Sequence, residues 1–180
     1  METNEALELE EQQEAGREKD LKPVSFTMAV LAVLVAIVTV LGHRTHTEAV
    51  LLQARASDQW NLYQAKKIRQ NDTELATDLL SAVELRDPAA GKKLSDNYNA
   101  HEQKWIEDLK DEEADAKGLE AEVKLAEGRA DRFDLGEALL EIALVVSSIT
   151  LLTRLRTYWY LGVVFGAAGV VVAVLAFVLR

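Results

Sequence analysis

Two histidines and two glutamates border apolar segments at spacings that suit metal binding. His43 and His46 are three residues apart and follow one apolar segment, while Glu137 and Glu141 are four residues apart and open another. Residues three or four apart share a helix face, and imidazole and carboxylate groups on neighbouring helices can bind a divalent metal. The alternative is that all four face headgroups and water. We favour this alternative and predict no metal and no cofactor, because two histidines at this spacing are common.

Glu141 is also a candidate for an ion pathway, because ionisable residues inside membrane segments are often functional. Ser147, Ser148 and Thr150 add polar groups further along the same segment. The alternative is that the carboxylate reaches the headgroup region while the hydroxyls bond to helix carbonyls or across helices. A single carboxylate with no partner in the segment favours the second interpretation.

Three apolar segments are expected to carry these residues into a membrane, because an apolar run of about 18 or more residues predicts a transmembrane helix. Of the three, the middle run is the shortest and contains Glu141. The predicted parts are an acidic disordered tail over 1–23, transmembrane helix 1 over 24–42, an extramembrane helical hairpin over 43–136, transmembrane helix 2 over 137–155 and transmembrane helix 3 over 157–179.

The composition excludes several classes of function. The net charge is −10 over 180 residues, and most of the acids lie in the tail and the hairpin. An acidic body argues against nucleic acid as a partner. There is no cysteine, so thiol catalysis and disulfides are excluded. The scarcity of proline and the abundance of Ala, Leu, Glu and Lys favour helix throughout.

The hydrophilic insert is predicted to form an antiparallel hairpin of two long helices, Thr47–Leu85 and Pro88–Asp134. Arg86-Asp87-Pro88 forms the turn, because Asp87 suits a helix N-cap and Pro88 the first helical position. The fold class is therefore an all-α membrane protein with three transmembrane helices and a coiled-coil-like hairpin between the first two.

Heptad spacing supports this hairpin. Steps of four and three residues from Tyr98 reach Phe133, and nine of the eleven positions are apolar or aromatic. The pattern continues to Leu140, which predicts one helix running on into the second span. In the first arm the apolar residues recur less regularly, which predicts a local stutter. These first-arm residues are Ala49, Ala56, Trp60, Tyr63, Ile68, Leu75, Leu79 and Ala82.

Folding back at residues 87–88 sets Trp60 near Ala116 and Tyr63 near Glu112, where the tyrosine hydroxyl would donate to the carboxylate. Several side chains on this part of the first arm are larger or more polar than a helix seam requires. We predict that they form a partner surface made of Trp60, Tyr63, Gln64, Lys66 and Arg69.

A second interaction surface is predicted in the third span. Gly162 and Gly166 are four residues apart, and Gly169 continues the row. Small residues at this spacing let helices approach closely. The sequence leaves open whether they pack within one chain or between chains.

The segment Asp58–Arg69 reads Asp-Gln-Trp-Asn-Leu-Tyr-Gln-Ala-Lys-Lys-Ile-Arg. It resembles the signature of a bacterial membrane family described only as a domain of unknown function. The resemblance extends to the first span, the Asp87-Pro88 turn and the two final spans. It implies a bacterial source and an inner-membrane location, and it implies no activity or catalytic residue.

Charges beside the spans predict the orientation. Arg17, Lys19 and Lys22 precede the first span, and Arg154 and Arg156 lie between the second and third. Three spans place both groups on one side, which the positive-inside rule makes cytoplasmic. The N-terminus is then cytoplasmic, and the hairpin and the C-terminus face the periplasm or exterior.

These features predict a non-enzymatic, membrane-anchored scaffold or accessory subunit. A hairpin with one apolar stripe per helix and a bundle of three spans both favour a homo-oligomer or a larger membrane protein complex. The alternative functions are a small oligomeric channel or transporter with Glu141 near its pathway and, less favoured, a metal-dependent membrane enzyme.

Overall fold

The structure is a computed structural model that describes the backbone of residues 2–83 and 87–178 and the side chains of residues 21–83, 87–102 and 104–178. These ranges contain three helices and no strand: α1 (Glu2–Ala82, described in full from Leu21 onward), α2 (Pro88–Thr153) and α3 (Arg156–Val178). Each is long and apolar enough to cross a membrane, by length and composition. The predicted all-α membrane class is confirmed. The predicted disordered tail lies, up to residue 20, outside the residues described in full.

The start of α2 has the predicted cap. The Asp87 Oδ1 atom accepts hydrogen bonds from the backbone N–H of Ala89 at 3.0 Å and of Ala90 at 3.1 Å. These donors belong to the first turn, where no intrahelical carbonyl is available to them. Pro88 occupies the first position, which needs no donor. Arg86, the third residue of the predicted turn, lies outside the described residues.

A tight link joins α2 to α3. The backbone of Arg154 has a φ of 59°, the left-handed conformation that commonly ends a helix. Its N–H donates to the Thr150 carbonyl at 2.7 Å, which satisfies one of the carbonyls left free at the helix end. Only Arg154 and Leu155 separate the two helices, as the predicted short link between the second and third spans requires.

The chain divides into two compact units, and the first comprises residues 1–47 and 125–180. Its core combines Leu31 and Val38 of α1 with Leu140 and Ala143 of α2 and Ala173 of α3. The face of α2 that is buried recurs every three or four residues, as packing between helices requires. This unit is therefore a bundle of three apolar helical segments, and its outward face is rich in exposed Val and Leu.

The second unit comprises residues 48–124, in which α1 and α2 pair as an antiparallel hairpin. On α2, the predicted heptad positions Leu109, Ala116 and Val123 are buried. The predicted pairing register is also confirmed, because Glu112 contacts Gln59 and Lys66, which lie on either side of Tyr63. Among the described residues, the Glu112 carboxylate accepts hydrogen bonds from these two side chains and not from the Tyr63 hydroxyl. The predicted hydrogen bond from Tyr63 is therefore wrong.

The first arm of the hairpin contains no stutter, and this prediction was wrong. The α1 residues that face α2, which we call the seam row, follow a regular spacing of three and four residues, and none of them is exposed. Ile68, Leu75 and Leu79, which were assigned to the seam, are 57–59% exposed. The apolar pattern misled because polar residues hold half of the true positions. The seam row is Ala49, Leu52, Ala56, Gln59, Tyr63, Lys66, Gln70, Thr73, Thr77 and Leu80.

Candidate interaction site

A polar cluster lies in the middle of the hairpin seam. The Glu112 carboxylate accepts a hydrogen bond from Gln59 Nε2 at 2.5 Å and forms an ion pair with the Lys66 ammonium. The side chains of Lys66 and Glu112 are only 26% and 17% exposed. Polar residues at seam positions cost stability but specify register, because a slipped pairing would leave a half-buried charge without its partner.

The ion pair perturbs the lysine. The hydrogen bond to Glu112 raises the pKa of Lys66 above its ordinary value of 10.5, and the charges of Glu112, Asp108 and Asp111 add to this effect. Partial burial opposes it. A raised pKa means that folding favours the charged ammonium, so the contribution of the pair is complete below pH 10.5.

We therefore expect the hairpin to lose stability as the pH rises through the raised pKa of Lys66. Lys66→Arg should remove part of this alkaline loss, because the guanidinium remains charged. The measurement is the thermal unfolding midpoint of the full chain between neutral and strongly alkaline pH. Lys117→Arg is the matched control, because the Lys117–Glu113 pair is 63% and 39% exposed and such pairs contribute little. Equal alkaline losses in wild type and Lys66→Arg would contradict the assignment.

The predicted partner surface on the hairpin divides into two parts. The Trp60 Nε1–H donates to Glu120 Oε1 at 2.9 Å, and the Trp60 and Tyr63 rings form an edge-to-face pair at 5.5 Å. With Lys66, these residues belong to the helix pairing. Gln64 and Arg69 are exposed and are the members of the set that a partner can reach directly.

A second row on the hairpin part of α1, on the side opposite the seam, was missed from the sequence. We call it the outer row: its residues again follow a three-and-four spacing, and all of them are exposed. Seven of its ten residues are apolar, whereas five of the ten seam-row residues are Gln, Lys or Thr. The signal was present as a second heptad pattern two residues out of phase. The outer row is Leu51, Ala54, Asp58, Asn61, Ala65, Ile68, Asp72, Leu75, Leu79 and Ala82.

The four candidate metal ligands do not form one cluster. His46 Nε2 contacts Asp134 Oδ2 at 2.9 Å, and Glu137 Oε1 lies 2.5 Å from the Thr39 hydroxyl. His43 and Glu141 are exposed. Among the residues with described side chains, no group of three or more His, Asp or Glu is arranged to hold a metal ion. The structure thus pairs His46 with Asp134 and Thr39 with Glu137.

The glycine row of α3 packs within the chain. A Cβ atom on Gly162 would lie 2.9 Å from the Ala143 carbonyl oxygen, and one on Gly169 would lie 2.9 Å from the Gly136 carbonyl oxygen. A Cβ on Gly166 would meet Leu31 of α1 at 2.8 Å. The sequence left open whether these glycines pack within one chain or between chains. In the structure they pack within the chain.

Two hydroxyls lie in the bundle. Ser147 and Thr150 are 0% and 1% exposed, and their oxygen atoms have no hydrogen-bond partner among the described residues. The Ser147 oxygen overlaps the position that a Cβ on Gly162 would take, so it occupies the space that the glycine leaves. The predicted hydrogen bonds of these two hydroxyls are therefore not found among the described residues, whereas the Ser148 hydroxyl donates to the Val145 carbonyl of its own helix at 2.7 Å, as predicted.

Comparison with known protein families returns a match over most of the chain. The profile of the family described as a domain of unknown function, DUF4337, matches residues 20–179. No curated protein and no solved structure matches the chain.

Proposed function

The chain belongs to the DUF4337 family, a domain of unknown function, and from the geometry of its hairpin we propose that it is a non-enzymatic, membrane-anchored scaffold. The hairpin would be the assembling part, and the three apolar helices would hold it to the bilayer. In this role copies of the chain associate with one another, either alone or within a larger membrane complex.

The observation that carries this proposal is the inverted polarity of α1 in the hairpin. Seven of the ten outer-row residues are apolar, whereas five of the ten seam-row residues are polar, among them Gln59, Lys66 and Gln70. Exposed contiguous apolar surface outside a membrane is costly in water and typical of interaction sites. A helix that only closed a hairpin would have the opposite arrangement. The outer row therefore supports a partner that covers it.

The test is the mass of the native assembly, extracted in mild detergent and measured by native mass spectrometry. We expect an integer multiple of the 19.9 kDa chain. Additional polypeptides in the particle would identify an accessory subunit, whereas a single chain in detergent and in lipid nanodiscs would overturn the proposal. Ile68→Lys, a change on the outer row, should reduce the assembled fraction, and Asn71→Lys, at an exposed position of α1 outside both rows, is the control for the added charge.

A small oligomeric channel or transporter is the second candidate, and the exposure of Glu141 favours it. Glu141 follows the fully buried Leu140 but is itself exposed, so the helices of its own chain leave the carboxylate uncovered. A neighbouring copy would turn this face toward a shared pathway. Ion flux in proteoliposomes that disappears in Glu141→Gln would support this candidate, and absence of flux in the wild type would reject it.

The finer location is also a proposal. The basic residues beside the first span and in the α2–α3 link support a bacterial inner membrane with a cytoplasmic N-terminus and an external hairpin. The Cys-free chain suits a direct test, because cysteines introduced singly at Lys22 and at Asp96 should be labelled from opposite sides by an impermeant maleimide. Labelling of both from the same side would contradict this orientation.

A further inference from the structure

The outer row of α1 forms a continuous strip that one partner helix can cover. Its large apolar members Leu51, Ile68 and Leu75 are 58–59% exposed, and Leu79, near the end of the row, also lies beside Leu94 and Tyr98 of α2. The row runs from residue 51 to residue 82, or about 47 Å of helix. Its three-and-four spacing is the spacing of a coiled-coil seam. The strip is therefore shaped for a helix lying alongside α1 rather than for a small ligand.

The charges on this strip discriminate between partners. The acids Asp58 and Asp72 interrupt the apolar residues. Two copies related by a twofold axis along the membrane normal would pair their α1 helices in parallel and set each aspartate against its own counterpart. Like charges across a seam are unfavourable. A partner helix that offers a lysine at the level of either aspartate is favoured instead.

The exposed face of α2 offers a lysine at the level of Asp58. Within the hairpin, Glu112 lies level with Tyr63, since it contacts Gln59 and Lys66 on either side. Counting along the two antiparallel helices from this pair, Asp58 is level with Lys117, which is exposed. Lys104 lies near the level of Asp72 but about 140° around the helix from Lys117, so it belongs to a different strip of α2.

Two copies inserted in one membrane with the same orientation have equivalent residues at equal heights. The same levels therefore apply when α1 of one copy lies against α2 of the next. Small residues on the exposed face of α2 then meet larger ones of the outer row: Leu75 is level with Ala100, and Asn61 is level with Ala114. This alternation of large and small side chains is what close helix packing needs.

We propose, building on the scaffold function, that the outer row of α1 binds the exposed face of α2 of a second copy, with Asp58 near Lys117. The two contacting surfaces are different, so the interface is heterologous, and its repetition builds a ring or an open array rather than a twofold dimer. Lys117 already contacts Glu113 of its own helix, but that pair is solvent-exposed and exchanges at little cost.

Disulfide cross-linking tests the contact directly, because the chain has no cysteine of its own. Asp58 lies on the side of α1 that faces away from α2, so the width of the α1 helix separates it from Lys117 of the same chain, which is farther than a disulfide can bridge. Full-length Asp58→Cys/Lys117→Cys, oxidised in membranes, should give a ladder of covalent multimers on a non-reducing gel. Asp58→Cys/Lys104→Cys is the register control and should give none.

The other outcomes of these experiments separate the proposed contact from the scaffold function. Covalent dimers from Asp58→Cys alone would show a homotypic α1 contact and overturn the inference. An assembled native mass without any Asp58–Lys117 cross-link would overturn it as well, while leaving the scaffold function intact. A monomeric native mass would overturn both. Asp58→Lys should weaken assembly and Asp58→Lys/Lys117→Asp should restore it, which separates a lost contact from a lost fold.

Discussion

Gly169→Ala is expected to destabilise the membrane bundle by about 1–3 kcal/mol, the usual cost of overpacking, or roughly 3–10 °C in the unfolding midpoint for a chain of this size. The added Cβ would lie 2.9 Å from the Gly136 carbonyl oxygen and 3.1 Å from the Leu140 backbone nitrogen. Both atoms are backbone, so no side-chain rotation relieves the contact and α3 must move away from α2. Thermal unfolding in mild detergent, read as loss of the monodisperse chromatographic peak, measures the effect.

Gly42→Ala is the matched control in the same unit. Its Cβ would meet Phe133 Cβ and Asp134 Oδ1 at 3.5 Å, which is ordinary van der Waals contact. Alanine is also the better helix former, so this variant should keep or slightly raise the unfolding midpoint. Equal midpoints for the two variants would show that α2 and α3 do not approach as closely as the structure has them.

Ala56→Leu is expected to destabilise the hairpin by about 1–3 kcal/mol. Ala56 is 3% exposed in the seam row, and a leucine there would have to push the two helices apart. Ala54, two residues earlier, is exposed on the outer row, so in detergent that keeps the chain monomeric Ala54→Leu should change the free energy of unfolding by no more than about 0.5 kcal/mol. Helix signal at 222 nm during heating of the full chain measures both.

The comparison of Ala56 with Ala54 also tests the heptad assignment. The two substitutions add the same atoms to the same helix, and leucine and alanine are both good helix formers. A larger loss for Ala54→Leu would place the seam on the wrong face of α1. It would also remove the basis for the outer row, because the two rows are defined from the same spacing.

The membrane segments and α2 could be predicted directly from the sequence. Uninterrupted apolar runs indicate helices because a bilayer leaves no other way to satisfy the backbone. The Asp87–Pro88 start of α2 follows from local chemistry within four residues. The register of the hairpin follows from where it turns, which is why Glu112 falls level with Tyr63.

The first arm could not be assigned in this way. Apolarity marks a seam only when the seam is the most apolar face, and in the hairpin part of α1 the opposite face is more apolar. Gln59 and Lys66 became seam residues because α2 supplies Glu112 as their partner. No local pattern in α1 contains that information, since it depends on a residue about fifty positions away.

The same distinction applies to the candidate sites. Spacing alone identified the glycine row, but its packing against Gly136, Ala143 and Leu31 depends on three helices meeting. Spacing also suggested a four-ligand cluster, yet His46 pairs with Asp134 and Glu137 with Thr39. The residues of this chain settle which segments are helical and which enter a membrane, because these follow from backbone and side-chain solvation along one segment. Which face of each helix is covered is a matter of contact between distant segments, and it emerges only when the helices are assembled.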